Sequence, residues 1–134
     1  GSKANEIQPF KRPLSSMTPT IVMKDDQFFF STGSPGGSRI ISAVLQSILN
    51  IVDFDMDLEE TNNAIRIHHQ WQPDRLQIET RLSEKTRLEL LDLNYNIQII
   101  EPATCLQTIM YKDNKYYGYG DYRRPDAFAS GDIK

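Results

Sequence analysis

The chain has 134 residues, a quarter of them charged, with 15 Lys and Arg against 18 Asp and Glu for a formal charge of −3. That length suits one domain with one core, and the basic residues are scattered among acids instead of forming a stripe, so nucleic acid is not an expected partner. No apolar run reaches the roughly 20 residues that span a bilayer, because even Ile40 to Phe54 is interrupted by Ser42, Gln46, Ser47, Asn50 and Asp53.

Gly1–Ser2 matches the scar left by tag removal, and no charged-then-apolar signal pattern follows it. Residues 1–13 are polar and proline-bearing without periodicity, which predicts a linker or extended arm ahead of a folded part over 14–134. Two short runs, "TIVM" (20–23) and "QFFFST" (27–32), flank Lys24, Asp25 and Asp26 and predict a β-hairpin. After "GSPGGSRI" (33–40), Ile40, Ile41, Val44, Leu45, Ile48, Leu49 and Val52 recur at the spacing of one helix face about four turns long.

A second helix is signalled by "DLEETNNA" (57–64), with Asp57 as N-cap and Glu60 as its capping-box partner. A third starts at Ser83, carries Leu88 and Leu91, and ends at Asn94. Strands are expected at 75–80, 96–101, 106–111 and 115–120, with Asp113 and Asn114 turning the last pair. Mixed strands, hairpins and about three helices make the class α+β.

The glycine-rich turn sits where a strand meets a helix start. Such a turn leaves backbone N–H groups unpaired near the positive end of the helix dipole, where negative charge is stabilised. The spacing of a phosphate-binding P-loop fails, because Gly33 is followed by Ser34, Pro35, Gly36, Gly37 and then Ser38 and Arg39. An oxyanion hole, in which successive amides receive charge developing on a carbonyl oxygen, and a plain tight turn both remain open. Upstream, Ser15 and Ser16 are bracketed by Pro13 and Pro19. Their hydroxyls suit a carboxylate ligand or bonds to their own backbone.

"RPLSSMTPTIV", "GSPGGSRI", "HHQWQPD" (68–74) and "RRPD" (123–126) occur in the order and rough spacing of one family. The chain resembles the C-terminal part of the small subunit of gamma-glutamyltranspeptidases, also called glutathione hydrolases, from Arg12 to about Gly131. The resemblance implies an N-terminal nucleophile hydrolase with an αββα sandwich, made as a precursor that cuts itself into two subunits. It implies an N-terminal threonine that takes the gamma-glutamyl group of glutathione as an acyl-enzyme and passes it to water, an amino acid or a peptide, with no metal or other cofactor. Ser15 and Ser16 match the serine pair that holds the gamma-glutamyl α-carboxylate, and Gly36 and Gly37 match the glycines of the oxyanion hole.

The family's threonine-initiated stretch lies upstream, and nothing in Gly1–Pro13 resembles it. The chain alone is therefore expected to be inert, with the large subunit and the missing N-terminal part of the small subunit as partners. A noncatalytic gamma-glutamyl-binding module and an assembly element are the alternatives. The resemblance also implies a periplasmic or secreted location. Ile65 departs from the family, which has a proline before "RFHHQW" where this chain reads "AIRIHHQW".

The single cysteine, Cys105, reads as a small core residue, and the adjacent His68 and His69 as structural histidines. Trp71 with Pro73 is expected to pack a corner, and Tyr111, Tyr116, Tyr117, Tyr119 and Tyr122 to serve core and interface. Arg123 and Arg124 suit either acids of a partner subunit or a solvated turn.

Overall fold

The computed structural model describes Lys3 and residues 6–13 and 17–131. Ser15 and Ser16 lie outside the described residues. The order is β1 (Thr20–Lys24), β2 (Gln27–Gly33), α1 (Ile40–Val52), α2 (Leu58–Asn63), β3 (Ile67–His68), β4 (Leu76–Glu79), α3 (Glu84–Asp92), β5 (Ile97–Ile100), β6 (Gln107–Lys112) and β7 (Lys115–Gly120). This is the α+β class expected from the hairpins and helix signals. Among the described residues, no helix is long and apolar enough to cross a membrane.

β1, β2, β6 and β7 form one antiparallel sheet in that order. Both hairpins turn on two residues with positive φ, Asp25 (50°) and Asp26 (59°) in one and Asp113 (52°) and Asn114 (59°) in the other. Asp and Asn tolerate this left-handed backbone, whose twist matches that of the flanking strands. A second sheet pairs β3 with β4 antiparallel and β4 with β5 parallel, and α3 makes the crossover between the parallel strands. β3 was not foreseen, being two residues long and lacking an alternating run.

α1 and α2 cover one face of the large sheet. Phe30, Ile51, Leu58 and Met110 form its core, with Val22, Phe29, Ile48 and Tyr119 packed against them. The strand register sets the faces, since Val22, Phe30, Met110 and Tyr117 share one row across the four strands and Ile21, Ser31, Ile109 and Gly118 the next. Successive residues point to opposite faces, so this second row faces away from the helices, and Ile21 and Ile109 are exposed there.

α1 forms where its periodicity predicts, but only half of the expected stripe is covered. Ile40, Ala43, Val44, Ser47 and Ile51 are buried, whereas Ile41, Leu45, Leu49 and Val52 are exposed. The apolar stripe is wider than the face that α1 turns toward β2, β3 and α2, so its outer row stays uncovered. α2 starts with the predicted capping box: the Glu60 amide donates to Asp57 Oδ1 (2.8 Å) and the Asp57 amide to Glu60 Oε2 (3.0 Å). In α3, Ser83 Oγ accepts from the Thr86 amide (3.1 Å), and Asn94, with φ 65°, follows its last turn. α3 buries none of its residues, so Leu88 and Leu91 remain exposed instead of joining a core.

Candidate functional site

The glycine turn joins the end of β2 to the start of α1 and is fastened at both ends. Ser34 Oγ donates to its neighbour's carbonyl, Pro35 O (2.7 Å), and accepts from the Cys105 amide (3.0 Å). Gly36 has φ 137° and Gly37 φ 60°, backbone states that other L-residues adopt at a cost. The Arg39 amide then closes on Gly36 O (3.2 Å), a 3₁₀ turn spans Gly37–Arg39, and α1 follows. Among the described residues, neither the Gly36 nor the Gly37 amide donates a hydrogen bond. Both amides stand at the N-terminal end of a 13-residue helix, where its dipole is positive.

The glycines are not equivalent. A Cβ on Gly36 falls 2.6 Å from Thr104 Cγ2 and 2.8 Å from Ala103 O, while a Cβ on Gly37 meets nothing within 4 Å among the described residues. Gly36 is thus backed by protein, and Gly37 is free of such backing among the described residues. Gly33 has no such constraint, since a Cβ there makes ordinary contacts of 3.9 Å with Pro19 Cα and Thr18 O. Those contacts also show where the arm bearing the predicted serines enters: Thr18–Pro19 runs beside Gly33, three residues ahead of Gly36. Ser15 and Ser16 themselves fall outside the described residues.

Behind the turn lies a buried ionic network absent from the sequence-based expectations. Arg66 Nη2 donates to Asp121 Oδ2 (2.6 Å) and to Asn62 O (2.8 Å), and its Nη1 donates to Thr104 O and Oγ1 (3.2 Å each). Asp121 also accepts from the Leu106 amide (2.8 Å) and, on its other oxygen, from the Arg123 amide and Nη1 (3.1 Å each). Arg123 pairs with both oxygens of Glu79 and donates to Asn62 O (2.6 Å) and Ala64 O (2.8 Å). Arg123 therefore neutralises acids of its own chain, a correction to both readings considered for it, and Arg124 stays exposed. A guanidinium keeps its charge when buried, and its planar fork suits carboxylates two bonds at a time.

Burial pushes the Asp121 carboxyl up, but the charge and hydrogen bond of Arg66 and the Leu106 and Arg123 amides outweigh it and hold the group below its ordinary value. Burial lowers Arg66 more than Asp121 raises it, with Arg123 adding like-charge repulsion. For Arg123 the hydrogen bond to Glu79 and the charges of Asp121 and Glu79 overcome burial and raise it. Arg66 and Glu79 lie more than 40 residues before Asp121 and Arg123, and no local motif marks the four as a cluster. The sequence hints are a cation, Arg66, within the apolar stretch "AIRI" and the motif "RRPD" that contains Arg123.

Other predicted residues take structural places. Cys105 is buried, and burial followed by the charge of Asp121 pushes its thiol up. His68 Nδ1 shares a hydrogen bond with Ser42 Oγ (2.8 Å), and His69 joins Asp74 (3.0 Å) while accepting from the Trp71 amide (3.1 Å). Trp71 is 79% exposed, so it packs no corner among the described residues. Tyr119 joins the core, while Tyr116, Tyr117 and Tyr122 are exposed.

The family model for gamma-glutamyltranspeptidase matches residues 1–131. A glutathione hydrolase proenzyme of Escherichia coli (strain K12) is 45% identical over 133 residues, 98% of this chain and 23% of the relative. One from Pseudomonas sp. (strain A14) is 39% identical, over 96% of this chain and 24% of its own length. The chain thus spans about a quarter of these curated relatives. Among solved structures, a Helicobacter pylori gamma-glutamyltranspeptidase mutant superposes with a TM-score of 0.82 at 41% identity, covering 92% of this chain and 69% of that one. The Pseudomonas nitroreducens gamma-glutamyltranspeptidase complexed with L-DON gives 0.83 at 33% identity, covering 100% and 70%. The α+β arrangement is accordingly that of the N-terminal nucleophile hydrolases to which these structures belong. With nearly its whole length matched by the family model and by these relatives, the chain belongs to the gamma-glutamyltranspeptidase family.

Proposed function

We propose that the chain, with its folded part over residues 14–134, is the C-terminal portion of the small subunit of a gamma-glutamyltransferase and glutathione hydrolase. In this reading Gly36 and Gly37 supply the oxyanion hole. The tetrahedral intermediate places a full charge on the former carbonyl oxygen, and two fixed amides at a helix N-terminus stabilise that charge more than they stabilise the neutral substrate. Ser15 and Ser16 donate to the α-carboxylate of the gamma-glutamyl group, so the scissile carbonyl is presented to the amides.

The nucleophile is a threonine hydroxyl from the part of the protein upstream of these residues, with its own α-amine as base. Its oxygen bonds to the gamma-carbonyl carbon, the amine of the donor leaves with a proton, and water or an acceptor amine then takes the acyl group and frees the threonine. The large subunit and the rest of the small subunit are the partners. A periplasmic or secreted enzyme acting on glutathione fits this chemistry.

The observation that carries the reading is that, among the described residues, the Gly36 and Gly37 amides donate no hydrogen bond, with Gly36 backed by Thr104 and Gly37 unbacked. Gly37→Val in the full-length enzyme, already cleaved into subunits, tests it through the burst of anilide released from a gamma-glutamyl anilide. Losing an oxyanion donor slows acylation on the order of a hundredfold or more. A burst at the parent rate assigns the glycines to a plain turn. The isolated chain releases no anilide above buffer on this reading, and reproducible turnover by it overturns the external nucleophile.

A further inference from the structure

Three consecutive residues behind the glycine turn are each held by a different group. Thr104 is held by Arg66, the Cys105 amide by Ser34 Oγ, and the Leu106 amide by Asp121. Asp121 therefore grips this segment twice, directly at Leu106 and through Arg66 at Thr104. The β-carbon of threonine carries two unlike groups in staggered positions, so fixing one fixes the other. Arg66 Nη1 fixes the hydroxyl at 3.2 Å, and the methyl carbon Cγ2 is left beside Gly36, 2.6 Å from where a Cβ there falls.

We propose that Thr104 is a positioning residue for the glycine turn: its Arg66-anchored methyl group backs the Gly36 backbone and keeps the Gly36 and Gly37 amides aimed at the reacting oxygen. This rests on the oxyanion reading above. Thr104 is buried behind Gly36, and its proposed role is to position that backbone and not to contact the substrate. Its effect is transmitted through Gly36, so it acts on the rate of acylation and not on substrate affinity. An amide that drifts when its backing is lost still permits the ground-state complex, because the neutral carbonyl gains little from it.

The test uses the full-length enzyme after self-cleavage, with three single variants. Thr104→Ser keeps the hydroxyl and carbonyl that Arg66 holds and removes only the methyl. Thr104→Val keeps a methyl in place and removes the hydroxyl, while the carbonyl bond to Arg66 remains. Gly37→Val reports on the oxyanion reading independently. The expected pattern is acylation slowed about tenfold in Thr104→Ser with KM within about twofold of the parent, a smaller loss in Thr104→Val, and a larger loss in Gly37→Val. If Thr104→Ser acylates at the parent rate while Gly37→Val is slow, the positioning role is overturned and the oxyanion reading stands. If both acylate at the parent rate, both fall. A Thr104→Ser effect confined to KM also overturns the proposal, because it assigns the residue to ground-state binding.

Discussion

Thr104 and Gly36 approach so closely that no side chain fits between them: a Cβ on Gly36 lies 2.6 Å from the Thr104 methyl carbon. Gly37, the next residue, also has positive φ, 60° against 137° at Gly36, but among the described residues it has no need for space. Substitution by alanine separates the two causes. Gly37→Ala costs about 1–2 kcal/mol from backbone strain alone. Gly36→Ala adds overpacking and costs about 2–4 kcal/mol in all. Urea unfolding of the two variants checks the difference, and equal losses refute the close approach.

The acid side of the stability profile rests partly on Asp121. Its folded-state pKa is below the ordinary value of 3.8, so its contribution is complete above about pH 4 and is lost as pH falls through the ordinary value toward the folded one. Asp121→Asn removes the contribution at neutral pH and flattens the acid limb of the melting curve between pH 5 and 2, roughly. A variant whose melting temperature falls with acid as steeply as the parent's places that limb on other carboxylates.

Asn62 joins α2 to the large sheet. Its Nδ2 donates to Tyr119 O (2.9 Å), its Oδ1 accepts from Thr108 Oγ1 (3.2 Å), and Thr108 shares a hydrogen bond with Thr32 (3.0 Å). Asn62→Ala strands the Tyr119 carbonyl and shortens this buried ladder, a loss of about 1–3 kcal/mol. Urea titration gives the number, and an unchanged m-value shows that the fold is intact.

Asp57→Ala removes one arm of the capping box on α2, leaving the Glu60 amide without its acceptor. The expected loss is about 1 kcal/mol. Asp57→Ser restores most of it, and a serine variant no better than alanine points to charge and not capping.

Local chemistry made most elements legible. Asp57 with Glu60, Ser83 as a cap, Asn94 as a stop and the acidic hairpin turns each satisfy their backbone within a few residues, so short stretches carry the information. The glycine turn was legible for the same reason, since Gly36 and Gly37 advertise positive φ. Its backing was not. Whether Ile41 or Ile40 is buried depends on which row meets the sheet, and whether Arg123 faces an acid of its own chain depends on the placement of Glu79 and Asp121. Both are tertiary facts that no window of sequence contains.

The Arg66–Asp121 pair joins residues 55 apart in sequence, and Asp121 lies only a short way before the last described residue. Closing so long a loop is slow compared with forming a helix or a hairpin. During synthesis, then, α1 and the first hairpin can form while the chain is still emerging, but the segment behind Gly36 gains the Asp121 part of its hold only after that residue has left the ribosome. Gly36 and Gly37 leave the ribosome well before Asp121 does. A nascent chain arrested before residue 121 would carry the glycine turn without the carboxylate that holds Arg66 and Leu106 behind it.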